Sequence, residues 1–79
     1  MTTPQIYKKI AKALDTAPRN AYVAELHLQS LKYAELLVDV SGKEFCENLN
    51  LKPAWGTEFT KMKKIADRLR GAGLDPELI

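Results

Sequence analysis

Apolar residues recur at three- and four-residue intervals along almost the whole chain, and no stretch alternates at the two-residue period of a strand. The pattern predicts an all-α fold of four helices and a terminal turn. Thr3-Pro4 reads as the first start signal, a hydroxyl at the N-cap followed by a proline that needs no amide hydrogen. Ile6, Tyr7, Ile10, Ala11 and Leu14 then share one face, with Lys8, Lys9 and Lys12 on the other. Asp15 to Asn20 contains Pro18 and reads as a break.

A second helix is predicted over about Asn20 to Val40. Its polar residues Glu25, Gln29, Lys32, Glu35 and Asp39 form one narrow stripe, and nearly every other position is apolar. A surface helix usually has an apolar arc of about 100° or slightly more; this one spans about twice that. Such a helix must be central to the fold, lend a side to a second subunit, or both. The expected partner is a second copy, with Leu26, Tyr33 and Leu37 as the dimer-interface candidates.

Ser41-Gly42-Lys43-Glu44 has the Ser-x-x-Glu spacing of a capping box. It opens a short helix with Phe45, Cys46 and Leu49 inward, ending at Asn50, a residue that tolerates the left-handed conformation. Pro53 to Arg70 forms the last long segment, with Phe59, Met62, Ile65, Ala66 and Leu69 as its inner stripe. Gly71 and Gly73 stop it, and Leu74-Asp75-Pro76 opens a turn expected to tuck Leu74 and Leu78 onto the core. Residues 1–79 read as one helical domain, and 41–70 as a helix-turn-helix unit within it. That motif needs a small residue where the second helix crosses the first, a left-handed residue at the turn and apolar anchors beyond it. Cys46, Asn50, Leu51, Phe59 and Met62 supply these. Two residues depart from the pattern: Asn50 stands where glycine is commonest, and Gly56 where a β-branched anchor is expected.

Charge changes the picture only when it is distributed along the chain. The net charge is +2 over 79 residues, too small to identify a partner. From Lys52 to Arg70, however, six basic residues (Lys52, Lys61, Lys63, Lys64, Arg68, Arg70) face two acidic ones, Glu58 and Asp67. Thr57, Thr60, Lys61, Lys64 and Arg68 fall within about 100° of one another, opposite Phe59 and Met62. Short polar side chains near the start and cations further along suit a helix that reads bases and grips phosphates. Lys8, Lys9 and Lys12 read as a solvated face, relevant to DNA only if the first helix crosses the backbone beside Lys61 and Lys64.

The run from Val40 to Asp75 resembles small bacterial proteins with an HTH-like domain. The residues that carry the likeness are Ser41-Gly42-Lys43-Glu44-Phe45, Trp55-Gly56-Thr57-Glu58-Phe59, Lys61-Met62 and Ala72-Gly73-Leu74-Asp75. The resemblance implies a helix-turn-helix architecture and no particular activity.

Several residues carry a bland reading beside a sharper one. Trp55 is core if its helix runs from Pro53, and a partner anchor if it stands exposed in the turn. Glu58 is expected near the positive end of a helix, or alternatively in contact with a base. His27 is expected as a hydrogen-bonded core or interface residue, and Cys46 as small packing. One histidine and one cysteine point to no metal site, and neither a phosphate loop nor paired inward carboxylates point to an enzyme or a cofactor.

At this length a chain buries roughly 60% of its unfolded surface, which adds to the case for a dimer. A single Cys excludes an internal disulfide. No apolar run approaches the roughly 20 residues of a membrane span, and the start lacks a signal peptide's hydrophobic stretch, so the expected compartment is the cytoplasm. The expected function is a dimeric DNA-binding regulator of transcription using Lys52, Thr57, Thr60, Lys61, Lys64 and Arg68. The alternative is a protein-interaction module, an adaptor or inhibitor in which the helix-turn-helix serves only as scaffold.

Overall fold

The computed structural model describes residues 1–79 and is all-α. Helix α1 spans Thr3–Thr16. Its cap is Thr2 rather than Thr3: the Gln5 amide donates to Thr2 Oγ1 (3.4 Å), and the Thr2 amide donates to Gln5 Oε1 (2.8 Å). This reciprocal box satisfies two amides that a helix start otherwise leaves free. Pro4 still falls in the first turn, where a missing amide hydrogen costs nothing. Ile6, Tyr7, Ile10 and Leu14 are its buried residues. A single 3-10 turn, Arg19–Ala21, follows Pro18 and leads into helix α2, Tyr22–Tyr33.

Helix α2 is shorter than its apolar periodicity predicts. Residues 34–39 continue as consecutive turns, with the Leu37 amide donating to the Tyr33 carbonyl (2.9 Å) and the Val40 amide to the Leu37 carbonyl (3.0 Å). Where these turns stop is set from another helix. Lys63 Nζ donates to the Val40 carbonyl at 2.6 Å and reaches those of Leu37 and Val38 at 3.4 and 3.5 Å. An ammonium there satisfies carbonyls that would otherwise need later amides of the same helix.

Leu26, Tyr33 and Leu37, the dimer-interface candidates, are 1%, 5% and 0% exposed and belong to the core of the single chain. Leu26 and Tyr33 lie on α2 and Leu37 on the turns after it, and α1 and α4 both pack against α2, so these three side chains are already used within one chain. The apolar residues of this region that do face outward are Val23, Leu28, Leu36 and Val38.

Helix α3, Gly42–Leu49, and helix α4, Ala54–Gly71, complete the set. Ser41 caps α3 by accepting from the Glu44 amide (3.1 Å), while its hydroxyl turns to Glu44 Oε1 (3.4 Å). The core is joined through rings: Phe45 of α3 stacks on Phe59 of α4 with centroids 3.9 Å apart, and Tyr7 of α1 tilts against Phe45 at 6.3 Å. A buried Phe is worth roughly 1.5–3 kcal/mol of removed apolar surface, so this trio contributes much of what holds three helices together.

The inner stripe of α4 is narrower than expected. Phe59 and Ala66 are buried and Met62 is half-buried, but Ile65 and Leu69 are exposed. Lys63 and Arg70, half-buried, occupy inner positions in their stead, with Arg70 paired to Asp67. At the end of the chain Gly73 takes a positive φ of 111°, the Leu74 amide returns to the Leu69 carbonyl at 2.9 Å, and Asp75 caps the Pro76–Leu78 turn. Leu74 is half-buried as expected, but Leu78 is 85% exposed. Lys32 Nζ holds this turn through the Ile79 main-chain oxygen (2.6 Å), so a polar contact does what the leucine was expected to do. No helix is long and apolar enough to cross a membrane.

Candidate nucleic-acid interface

The turn between α3 and α4 is set by Asn50 in the left-handed conformation, φ 55° and ψ 46°. The Leu51 amide donates to the Cys46 carbonyl (2.9 Å) and the Asn50 amide reaches back to Glu47 (3.4 Å). That is a Schellman closure, which satisfies carbonyls at a helix end and reverses the chain sharply. Leu51 packs against the core beyond it, as the spacing predicts.

Cys46 is buried in the elbow, its Sγ 3.3 Å from the Lys52 carbonyl that accepts from it. Burial pushes the thiol up from its ordinary range, and the nearby Gly56 backbone offsets part of that. The two helices also approach closely elsewhere, at Gly42 and Gly56. A Cβ added to Gly42 would stand 2.6 Å from the Gly56 carbonyl oxygen, and one added to Gly56 would stand 2.9 Å from that of Gly42. Gly56 therefore occupies the place of a β-branched anchor because no side chain fits between the backbones. In the sequence this pair shows only as one glycine near the start of each helix.

Helix α4 starts at Ala54, and Trp55 is half-buried against the core. Of its two readings, the structure takes the packing one. Glu58 lies beyond the first turn and sits 3.8 Å from Lys61 instead of serving the helix start. His27 is half-buried, and its Nε2 is shut off from water without a hydrogen-bond partner. The hydroxyl of Ser30, one turn along the helix, donates instead to the Leu26 carbonyl (2.9 Å).

Thr57, Thr60, Lys61, Lys64, Arg68 and Lys52 are all exposed. Four of them are brought together: Thr57, Thr60, Lys61 and Lys64 line one side of an open cleft of about 960 Å³ between α3 and α4. Gly42, Lys43, Glu47 and Asn50 line the other side. Lys52 and Arg68 lie outside the cleft. Lys43, not singled out by the spacing of α4, joins the cluster because the close glycine contact brings the start of α3 beside the outer face of α4.

Electrostatically the cleft carries Lys43, Lys61 and Lys64 against Glu47 alone. Lys43 pairs loosely with Glu47 at 4.0 Å, and that exposed pair, like Lys61–Glu58, is worth little and yields readily to a competing anion. Lys64 has no carboxylate within that range. Thr60 Oγ1 donates to the Gly56 carbonyl at 3.0 Å, so its hydroxyl hydrogen is used within the helix and its oxygen and methyl remain to face outward.

No curated protein and no solved structure matches the chain. The model of a family described as an HTH-like domain matches residues 2–72. The match takes in α1 and α2 as well as α3 and α4, and stops at the first residue of the Ala72-Gly73-Leu74-Asp75 motif. The chain belongs to the HTH-like domain family.

Proposed function

We propose that this protein binds duplex DNA through α3, the Asn50 turn and α4, and that it regulates transcription as a dimer. The observation that carries the reading is the cleft, in which Thr57, Thr60, Lys61 and Lys64 share one wall and Lys43 stands on the other. Helix α4 lies with this face in the major groove. Thr57 and Thr60 approach base edges, and Lys61, Lys64, Arg68 and Lys52 approach phosphates, as short polar groups and long cations respectively do in such interfaces. The dimer places two such helices about one helical turn of DNA apart. The apolar residues exposed on α2, Val23 and Leu28, are available for contacts in it.

The test is a titration of duplex binding against salt concentration. Each phosphate contact contributes about 0.9 to the slope of log affinity against log salt. A Lys61→Ala/Lys64→Ala protein should therefore lose about 1.8 from the slope per bound chain. Unchanged affinity and slope overturn this docking.

A second reading has its own support. Leu36, Val38 and Ile65 stand exposed at 56%, 67% and 46%, and apolar residues that join into one exposed patch mark contacts with other proteins. Absence of any duplex binding at low salt selects this reading, an adaptor or inhibitor in which the helix-turn-helix is scaffold.

A further inference from the structure

Lys8 and Lys9 of α1 face different ways. Lys8 lines a second cleft, of about 540 Å³, between α1 and the end of α3, together with Asn48 and Asn50. Lys9 lies around the helix in a different recess, beside Met1, Lys32 and Pro76. Asn50 lines the second cleft and also the one between α3 and α4, so the two meet at the turn. Lys8 is exposed and has no carboxylate within 4.0 Å, since the ion pairs of the fold use Lys43, Lys61 and Arg70. Glu44 is the one acid in this second cleft, and the Ser41 hydroxyl engages it at 3.4 Å.

We propose that Lys8 of α1 holds the DNA backbone at a second point, beyond the α3–α4 cleft, with the Asn50 turn at the junction of the two contacts. This rests on the DNA-binding reading above. Cations spaced along joined clefts match the regular negative charge of a duplex strand, and a neutral amide at the junction donates to phosphate oxygens without charge. Lys9, equal in charge and adjacent in sequence, faces away and makes no such contact. The difference separates a defined contact from a general attraction between a basic helix and a polyanion.

The experiment measures duplex affinity across a salt series for the full chain and for Lys8→Ala, Lys9→Ala and Lys61→Ala/Lys64→Ala. Both single changes put a strong helix former on an exposed face, so the fold is kept. Lys8→Ala should lower the slope by about 0.9 per bound chain and weaken binding about eightfold at 0.1 M salt, while Lys9→Ala leaves both near the parent. Equal effects from Lys8→Ala and Lys9→Ala, or no effect from Lys8→Ala, overturn the second contact while a weakened Lys61→Ala/Lys64→Ala keeps the first. If the double variant binds like the parent, both fall together.

Discussion

Lys63 Nζ sits 2.6 Å from the Val40 carbonyl oxygen, joining the middle of α4 to the segment that precedes α3. The same ammonium lies 4.6 Å from the centre of the Phe59 ring, in cation–π range. One side chain thus ends the turns after α2, neutralises their carbonyls and rests on the core ring that stacks with Phe45. Among the basic residues of α4 it faces inward, and its work is architectural.

Replacing Lys63 by Met keeps the stem and removes the ammonium. The carbonyls of Leu37, Val38 and Val40 then lose their shared donor, at a cost of about 1–3 kcal/mol. Lys64→Met, next in sequence but on the cleft wall, should change stability by no more than about 0.5 kcal/mol. Urea denaturation midpoints of the two proteins test the contrast; equal midpoints would show that the inward lysine holds nothing.

Gly56 provides a test in which two effects oppose each other. Within a helix, Gly→Ala ordinarily stabilises by up to about 1 kcal/mol. At Gly56 the new methyl meets the Gly42 carbonyl oxygen at 2.9 Å, and backbone must shift to admit it. Overpacking of this kind costs about 1–3 kcal/mol, so Gly56→Ala should lower Tm. Gly71→Ala, with nothing within 4 Å of the added atom, should hold or raise it. A rise in Tm from both variants would mean that the helices part without penalty.

Tyr7 carries a hydroxyl shut away from water with no hydrogen-bond partner. Desolvation pushes its pKa above the ordinary tyrosine value, and the nearby Glu44 charge adds to the shift. Because the folded state holds this proton more tightly, the contribution is complete below the unfolded pKa. It is lost as pH climbs from there through the folded one. The buried Cys46 thiol, also pushed up, acts in the same direction from a lower starting value. Tyr7→Phe should raise stability at pH 7 by about 1 kcal/mol, since an unsatisfied buried group is removed, and should flatten the decline above pH ~10. Denaturation at pH 7 and through the alkaline range measures both; a less stable Tyr7→Phe at pH 7 contradicts the orphaned hydroxyl.

Much of the fold was legible because local rules and tertiary packing agree. Ser41 and Asn50 mark the two ends of α3 by chemistry that acts within a few residues, and both behave as their types predict. Where the reading went astray, distant groups decided the outcome. Residues 34–39 hold no Gly or Pro, so nothing local announces the end of α2; the ammonium that takes the carbonyls of Leu37, Val38 and Val40 and closes the turns is more than twenty residues away in sequence. Leu26, Tyr33 and Leu37 looked surplus to one chain because periodicity counts apolar positions but not the helices available to cover them. The wall formed by Thr57, Thr60, Lys61 and Lys64 followed from helical spacing alone. Lys43 did not, since its place there depends on how closely two backbones approach.

That approach has a consequence for how the protein can change. Most tight contacts in a core are negotiable, because a larger residue on one side can be answered by a smaller one opposite. Gly42 and Gly56 have already used that freedom on both sides, and the amino-acid alphabet holds nothing smaller. A substitution at either can be absorbed only by moving a helix, and the walls of the cleft move with it. The geometry of the outer face is thereby tied to two residues that carry no side chain at all.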